Sequence, residues 1–262
     1  MKCSKDLEEV KGFLIDIDGV LITGNSAITG AQEALDWMKD CKIPFRCVSN
    51  STRRCRASIA SSLQQQGIEI PEGSIFTPPL AAVKFIKESG KRRVYLLTKE
   101  DVKKDFEEIE FNLKSPEMDY VVIGDAGDLI TYSSMTQVFR YVVGGAGIIA
   151  LEKDRYWMAT DGLSLSAGPF VVALEYATGK TATVVGKPSK TFFGLALSDM
   201  GIDAKSAIMI GDDIFTDIDG AQKAGIQGYL VKTGKYRQDV VEKSGVNPAA
   251  TLNSIRDICT IL

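Results

Sequence analysis

The sequence predicts an α/β protein built on parallel sheets with helices on both faces, in which an inserted domain splits the core. Short apolar runs of strand length alternate with segments of helical periodicity along most of the 262 residues. This alternation is typical of parallel strands joined by crossover helices. A second series of such elements interrupts the first. We therefore predict core segments at about residues 1–78 and 183–262, and an inserted domain at about 79–182.

The individual elements follow from periodicity and from capping and turn residues. Thr29 and Gln32 have capping-box spacing, and Thr77-Pro78 is typical of a helix start. The predicted helices lie at about 30–41, 54–66, 78–86, 101–108, 134–143, 169–178, 190–200, 221–224 and 252–262. The predicted strands lie at about 13–15, 44–48, 93–97, 120–123, 147–151, 184–185, 207–210 and 228–231.

Two aspartates mark the end of the first predicted strand. Asp16 and Asp18 are two residues apart, so both carboxylates can face the same side. Like charges this close repel each other unless a cation or a shared proton lies between them. The pattern favours a divalent metal, with Asp16 free to act as a nucleophile. An Asx-type turn closed by Gly19 is the alternative.

Polar residues follow other predicted strands as well, and in an open parallel sheet such strand ends converge on one crevice. Carboxylates can hold a metal, a hydroxyl and an amide can donate hydrogen bonds, and a lysine can neutralise negative charge. This combination fits phosphoryl transfer with Mg²⁺ as the ion. The further strand-end residues are Ser49, Asn50, Lys187, Asp212, Asp213 and Asp217.

Composition excludes several classes of function. The net charge of −3 and the lack of a long Lys/Arg stripe argue against nucleic acid as a partner. The small cluster Arg53, Arg54 and Arg56 is interpreted as a solvated helix face. Because the chain has no histidine, acid–base chemistry falls to carboxylates, lysines, tyrosines or cysteines.

Compartment and membrane association are predicted from cysteine usage and hydropathy. The five cysteines show no zinc-type spacing and suit reduced thiols in a reducing compartment. Neither a signal peptide nor a membrane span is expected, so a cytoplasmic location is predicted. The aromatic pair Tyr156-Trp157 is assigned to a hairpin or to core packing, with substrate stacking as the alternative.

The strand-end motifs resemble those of the haloacid dehalogenase-like (HAD) phosphatases. The resemblance rests on Asp16-Ile17-Asp18-Gly19-Val20, Ser49-Asn50, Lys187 and Gly211-Asp212-Asp213, in that order, and it covers essentially the whole chain. It implies a Rossmann-like core. The long insertion resembles the C2-type cap of the branch that contains NagD nucleotide phosphatase and the p-nitrophenyl phosphatases.

The resemblance also implies a role for each residue. Asp16 would attack phosphorus and form an aspartyl-phosphate, and Asp18 would act as acid and then as base. Ser49 and Asn50 would hold the phosphoryl group, and Lys187 would steady it. Mg²⁺ would bind the Asp16 carboxylate, the Asp18 main-chain carbonyl and Asp212. Asp213 and Asp217 would support this site.

These inferences predict a Mg²⁺-dependent phosphatase of small phosphomonoesters. A phosphotransferase to an acceptor other than water and a non-catalytic phosphate-binding scaffold remain as alternatives. The expected partner is a small phosphorylated metabolite, and neither nucleic acid nor a membrane is expected. Caps of this kind often mediate dimers in the family, so a homodimer through the cap is a further expectation.

Overall fold

The computed structural model describes residues 10–112 and 115–261, and they group into two compact units. The first contains the described residues up to 49, then 59–76, and those from 187 onward. The second contains residues 50–58 and 77–186. The predicted cap, 79–182, lies inside the second unit. Residues 50–58 group with this unit too, although the sequence prediction assigned them to the core.

Strands and helices alternate along the described chain. The strands are β1 (Gly12–Asp16), β2 (Ile22–Thr23), β3 (Ser26–Ala27), β4 (Phe45–Val48), β5 (Ile75–Phe76), β6 (Val94–Leu97), β7 (Tyr120–Ile123), β8 (Gly147–Ala150), β9 (Tyr156–Ala159), β10 (Gly162–Leu165), β11 (Thr183–Val184), β12 (Ala207–Gly211), β13 (Gln227–Val231) and β14 (Ala250–Leu252). The α-helices are α1 (Ala31–Asp40), α2 (Arg56–Gln65), α3 (Pro78–Glu88), α4 (Tyr132–Val143), α5 (Gly168–Thr178), α6 (Lys190–Met200), α7 (Gly220–Lys223), α8 (Gln238–Ser244) and α9 (Ile258–Ile261).

The first unit is built on a parallel sheet with the strand order β14-β13-β12-β1-β4-β5. Alternation along the strands gives the sheet two apolar faces. Phe13 and Ile15 of β1 pack in a buried cluster with Leu35 of α1. On β5, Phe76 contacts Phe192 of α6 with 5.3 Å between ring centroids. Burial on both faces explains why the core strands are continuous apolar runs.

The second unit has its own parallel sheet, with the order β11-β8-β7-β6. Its core includes Val121 and Ile123 of β7, Val138 of α4 and Val171 of α5. The antiparallel pair β9 and β10 forms a separate hairpin. The assignment of Tyr156 and Trp157 to a hairpin is therefore confirmed.

Three local predictions are wrong. Helix α1 begins after Gly30 without a side-chain cap, because Gln32 instead bonds to Asp36 and to the Glu69 amide. The segment Asp101–Phe106 is a 3₁₀ helix rather than an α-helix. The predicted terminal helix at 252–262 is largely replaced by β14, a 3₁₀ turn and the short α9.

The expectation of reduced thiols is confirmed for Cys47, Cys55 and Cys259, which are free. It is wrong for Cys41, which takes part in a disulfide.

None of the helices in the described part of the chain combines the length and the apolar character that a membrane span requires.

Candidate active site

The site centres on one buried lysine between two carboxylates of the first unit. Lys187 Nζ lies 2.5 Å from Asp16 Oδ1 and 2.7 Å from Asp217 Oδ1. All three side chains are buried. Burial alone would lower the pKa of Lys187, but the two carboxylates raise it above its ordinary value. The lysine is therefore a permanent cation in this site.

Burial changes the pKa of an acid in the direction opposite to that of a lysine. Burial raises the pKa of Asp16 well above its usual range; the Asp217 carboxylate adds to this rise and Lys187 opposes it. Asp16 is the last residue of β1, and its neighbour Ile15 is in register with Ile210 of β12. The end of β1 thus lies beside the end of β12, immediately before Asp212.

One oxygen of Asp212 has no hydrogen-bond partner in the described part of the chain. Its Oδ2 accepts from the Lys235 amide at 2.6 Å, whereas its Oδ1 is buried without a hydrogen bond among the described residues. Burial raises the pKa of Asp212 to about 6, and the Lys235 amide opposes that rise. A buried, unpartnered carboxylate oxygen is costly unless a cation or a donor meets it.

The carboxylates fit a hard divalent cation. Asp16, Asp212 and Asp217 each offer an oxygen, and these atoms all lie within 4.8 Å of one another. Oxygen-only ligands are the set that Mg²⁺ prefers, and the unpartnered Asp212 Oδ1 is available to it. The acidic cluster therefore has the chemistry of a Mg²⁺ site. Asp217, which the resemblance makes a neighbouring support, is part of this cluster and contacts Lys187 directly.

Two glycines make the close approach of Asp212 feasible. A Cβ at Gly19 would lie 1.9 Å from Asp212 Oδ2, and one at Gly234 would lie 2.0 Å from it. Both residues have positive φ values, 90° and 59°, which glycine adopts without strain. Thr233 Oγ1 donates to the Gly19 carbonyl at 2.5 Å. The loop after β13 thereby holds the loop after β1.

The other predicted residues lie near strand ends, with different contacts. Ser49 is buried directly after β4, the neighbour of β1, and its amide donates to the Phe76 carbonyl at 3.2 Å. Asp18 is exposed. Asp213 Oδ1 accepts from the Phe215 and Thr216 amides at 3.0 Å, so its carboxylate caps the following turn and is not in the acidic cluster. Asn50 belongs to the second unit.

Sequence reasoning missed the loop Thr233-Gly234-Lys235, although a polar turn after an apolar strand was a usable signal.

The interpretation of Arg53, Arg54 and Arg56 as a solvated helix face was also wrong. Arg53 precedes α2 and pairs with Asp125 at 3.1 Å. Arg56, the first residue of α2, pairs with Asp105 at 3.0 Å. These arginines bind residues of the second unit, so they do not form a solvated helix face.

The first unit is a parallel α/β core of the Rossmann-like class that holds a lysine among buried carboxylates at its strand ends. The sequence profile described as haloacid dehalogenase-like hydrolase matches residues 13–112, and one described as HAD-hydrolase-like matches 184–258. The chain belongs to the haloacid dehalogenase-like hydrolase family.

Two kinds of relative support this assignment. Haloacid dehalogenase-like hydrolase domain-containing protein 2 of Bos taurus is 41% identical over 93% of this chain and 91% of its own. Phospholysine phosphohistidine inorganic pyrophosphate phosphatase of Homo sapiens is 40% identical over 89% of this chain and 87% of its own. The resemblance to the former was predicted from Gly168-Pro169-Phe170, residues 174–178 and residues 184–188, and it is confirmed.

Solved structures agree with the fold. The p-nitrophenyl phosphatase of Archaeoglobus fulgidus has a TM-score of 0.87 and 28% identity, covering 97% of this chain and 99% of that one. NagD of E. coli K-12 has a TM-score of 0.86 and 23% identity, and the match covers 95% of this chain and 98% of NagD. The predicted fold class, with its NagD-type cap, is confirmed, and so is the prediction of an enzyme of the HAD hydrolase type.

Proposed function

We propose that this protein is a Mg²⁺-dependent phosphatase that hydrolyses a small phosphomonoester through an aspartyl-phosphate on Asp16. The observation that carries the proposal is the position of Lys187 between Asp16 and Asp217, beside the unpartnered oxygen of Asp212. One permanent cation among carboxylates at strand ends suits a reaction in which anionic oxygens must be held and neutralised.

The chemistry has two displacements at phosphorus. An Asp16 carboxylate oxygen attacks, the bond from phosphorus to the ester oxygen breaks, and Asp18 gives its proton to the leaving alkoxide. Asp18 then takes a proton from water, whose oxygen attacks the phosphorus of the aspartyl-phosphate. Asp16 is released as a carboxylate together with inorganic phosphate. The exposure of Asp18 suits a group that exchanges protons with solvent.

The remaining residues bind and neutralise. Lys187 balances the charge of Asp16 and of the phosphoryl oxygens, and Ser49 and Asn50 donate to those oxygens. Asp16, Asp212 and the Asp18 main-chain carbonyl would hold Mg²⁺, with Asp213 and Asp217 as supports. When bound, the ion supplies Lewis-acid neutralisation of the phosphoryl oxygens.

Hydrolysis of para-nitrophenyl phosphate with and without Mg²⁺ tests the proposal. We expect release of phosphate that depends on Mg²⁺ and is abolished by a chelator. Absence of turnover together with Mg²⁺-dependent binding of phosphate would instead indicate a non-catalytic scaffold. Transfer of the phosphoryl group to an added alcohol, in preference to water, would indicate a phosphotransferase.

Asp212→Ala is expected to raise the Mg²⁺ concentration needed for half-maximal rate by about tenfold or more, because the site loses one anionic ligand. A Mg²⁺ titration of the steady-state rate measures this shift. Asp219→Ala is the matched control, since Asp219 pairs with Lys223 in the same part of the chain and is outside the cluster. Equal titration curves for the two variants would mean that the metal lies elsewhere.

We also propose a small phosphorylated metabolite as the substrate and a homodimer through the second unit. The dimer is supported by exposed apolar side chains on α4 and α5, two helices that pack together. Tyr132 and Tyr176 are 91% and 92% exposed, and Val143 is 63% exposed. Exposed apolar side chains on neighbouring helices are a common feature of interaction surfaces.

The double variant Tyr132→Glu/Tyr176→Glu is expected to shift the protein from dimer to monomer, because charged residues would replace the aromatic anchors. Light scattering after size-exclusion chromatography gives the mass directly. A micromolar dissociation constant is ordinary for such an interface. Wild-type protein that stays monomeric at a concentration about 100-fold above that value would contradict the dimer.

A further inference from the structure

The proposed mechanism gives no role to Thr233, in the loop after β13, yet the hydroxyl of this residue reaches the loop that carries Asp18. Thr233 Oγ1 donates to the main-chain carbonyl of Gly19 at 2.5 Å, and the two residues are 214 positions apart in the chain. This hydrogen bond joins two strand-end loops of the first unit. One of these loops contains the proposed acid and base.

The Asp18 carboxylate is not held by a side chain or an amide in the described part of the chain. Asp18 is exposed, and its carboxylate forms neither a hydrogen bond nor an ion pair with the described residues. By contrast, Asp16 is buried and bonded to Lys187. The position of the Asp18 carboxylate therefore depends on the main chain of its loop.

Gly19 is the residue at which this loop can change its shape. Its φ of 90° is readily adopted by glycine, and glycine has more accessible backbone conformations than other residues. A bulkier residue cannot stiffen the loop here, because a Cβ at Gly19 would lie 1.9 Å from Asp212 Oδ2. The orientation of the peptide groups on both sides of Gly19 must therefore come from hydrogen bonds.

Two hydrogen bonds orient these two peptide groups. The Gly19 amide donates to the Ile22 carbonyl at 2.7 Å. Because a peptide group is planar, this bond also orients the Asp18 carbonyl. The Thr233 hydroxyl orients the following peptide through the Gly19 carbonyl. The first bond stays within the loop, whereas the second is the one that anchors the loop to another part of the first unit.

The main chain around Thr233 is itself held, so that its hydroxyl has a fixed origin. The Lys232 amide donates to the carbonyl of Leu252, on the edge strand β14, at 2.9 Å. The Tyr236 amide donates to the Thr233 carbonyl at 3.2 Å. The bond from Thr233 to Gly19 therefore connects the flexible loop to a segment that the parallel sheet supports.

We propose that Thr233 is a positioning residue for Asp18: its hydroxyl holds the Gly19 carbonyl and thereby keeps the Asp18 carboxylate where it gives its proton to the leaving group. This inference rests on the proposed function. A small displacement of a proton donor slows the step that needs the proton. That need is greatest when the leaving oxygen is strongly basic and smallest when the leaving oxyanion is stable by itself. Thr233 should therefore affect how strongly the rate depends on the leaving group.

Two esters whose leaving phenols are similar in size and different in acidity test this role. Para-ethylphenyl phosphate releases a basic phenolate, and para-nitrophenyl phosphate releases a stable one. The quantity to compare is kcat/KM, because it covers the steps up to departure of the phenol. Thr233→Ala should lower kcat/KM by about tenfold for the para-ethyl ester and by less than about twofold for the para-nitro ester.

Two further variants show whether the hydroxyl is the group responsible. Thr233→Ser keeps the donor and should retain the wild-type kcat/KM for both esters. Thr233→Val keeps the branched shape without the donor and should behave like Thr233→Ala, so it replaces that variant if thermal unfolding shows Thr233→Ala to be unfolded. Thr260→Ala is the matched control, since Thr260 Oγ1 also donates to a main-chain carbonyl, that of Asp257, at 2.8 Å.

The outcomes separate this inference from the proposed function. A loss confined to the para-ethyl ester, with recovery in Thr233→Ser, would support the positioning role. Equal losses for the two esters, no loss for either, or an equal loss in Thr233→Ser would overturn that role and leave the phosphatase intact. Turnover of neither ester by wild type in the presence of Mg²⁺ would overturn the proposed function and this inference together.

Discussion

Asp16→Asn is expected to reduce turnover of an aryl phosphate by more than about 10³-fold while the protein stays folded. An amide of nearly the same shape is a far poorer nucleophile than a carboxylate. The fold should persist because Lys187 keeps its second partner, Asp217, at 2.7 Å. The variant also removes one of the charges in the buried acidic cluster, which relieves repulsion.

Steady-state rates and thermal unfolding together check this expectation. Asp219→Asn, which neutralises a carboxylate outside the cluster, should retain wild-type turnover. In a rapid-quench experiment with radiolabelled ester, wild type should carry acid-stable label and Asp16→Asn should carry none. Residual activity of about a tenth of wild type in Asp16→Asn would remove this residue from the covalent role.

Lys187→Met should lower the free energy of unfolding by about 3–5 kcal/mol at pH 7, because it leaves Asp16 and Asp217 buried without their cation. Chemical denaturation in Mg²⁺-free buffer measures the loss. Lys235→Met is the control, since Lys235 lies 3.6 Å from Asp213 and is 70% exposed. That variant should lose less than about 1 kcal/mol.

The loss of stability in Lys187→Met should become smaller as pH falls. The pKa of Asp16 is already raised in the folded protein, and removal of the lysine raises it further. A carboxyl whose pKa is higher in the folded state binds more protons there, so the variant should become more stable as pH falls from 7 towards 5. Adding Asp217→Asn to Lys187→Met should recover stability at pH 7. A loss that is independent of pH, and that Asp217→Asn does not reduce, would contradict this account.

Much of the site was predictable because it depends on local patterns at strand ends. Asp16 and Asp212 each follow a buried apolar run, and parallel strands place their carboxyl ends at one edge of the sheet. The direct contact of Asp217 with Lys187 was not predictable in the same way. It depends on the π-helical turn Ile214–Asp219 after β12, and such turns have no strong sequence signal.

The second unit was harder to infer, because its contacts are between residues distant in the chain. The arginines at 53 and 56 looked like one face of a helix by spacing, yet their partners Asp125 and Asp105 are 72 and 49 residues away. The prediction of a side-chain cap at the start of α1 was wrong for a related reason. Gln32, expected to complete a local cap, instead bonds to the amide of Glu69, 37 residues away.

The membership of residues 50–58 in the second unit determines how this chain can be recombined with a relative. A chimaera that transplants residues 77–186 alone would keep Arg53 and Arg56 from one parent and take the partners of both from the other. A chimaera that also transplants 50–58 keeps the pairs of Arg53 with Asp125 and Arg56 with Asp105 within a single parental sequence. The piece that protein engineering or natural shuffling can move intact is therefore discontinuous, and its short first segment is as necessary as its long second one.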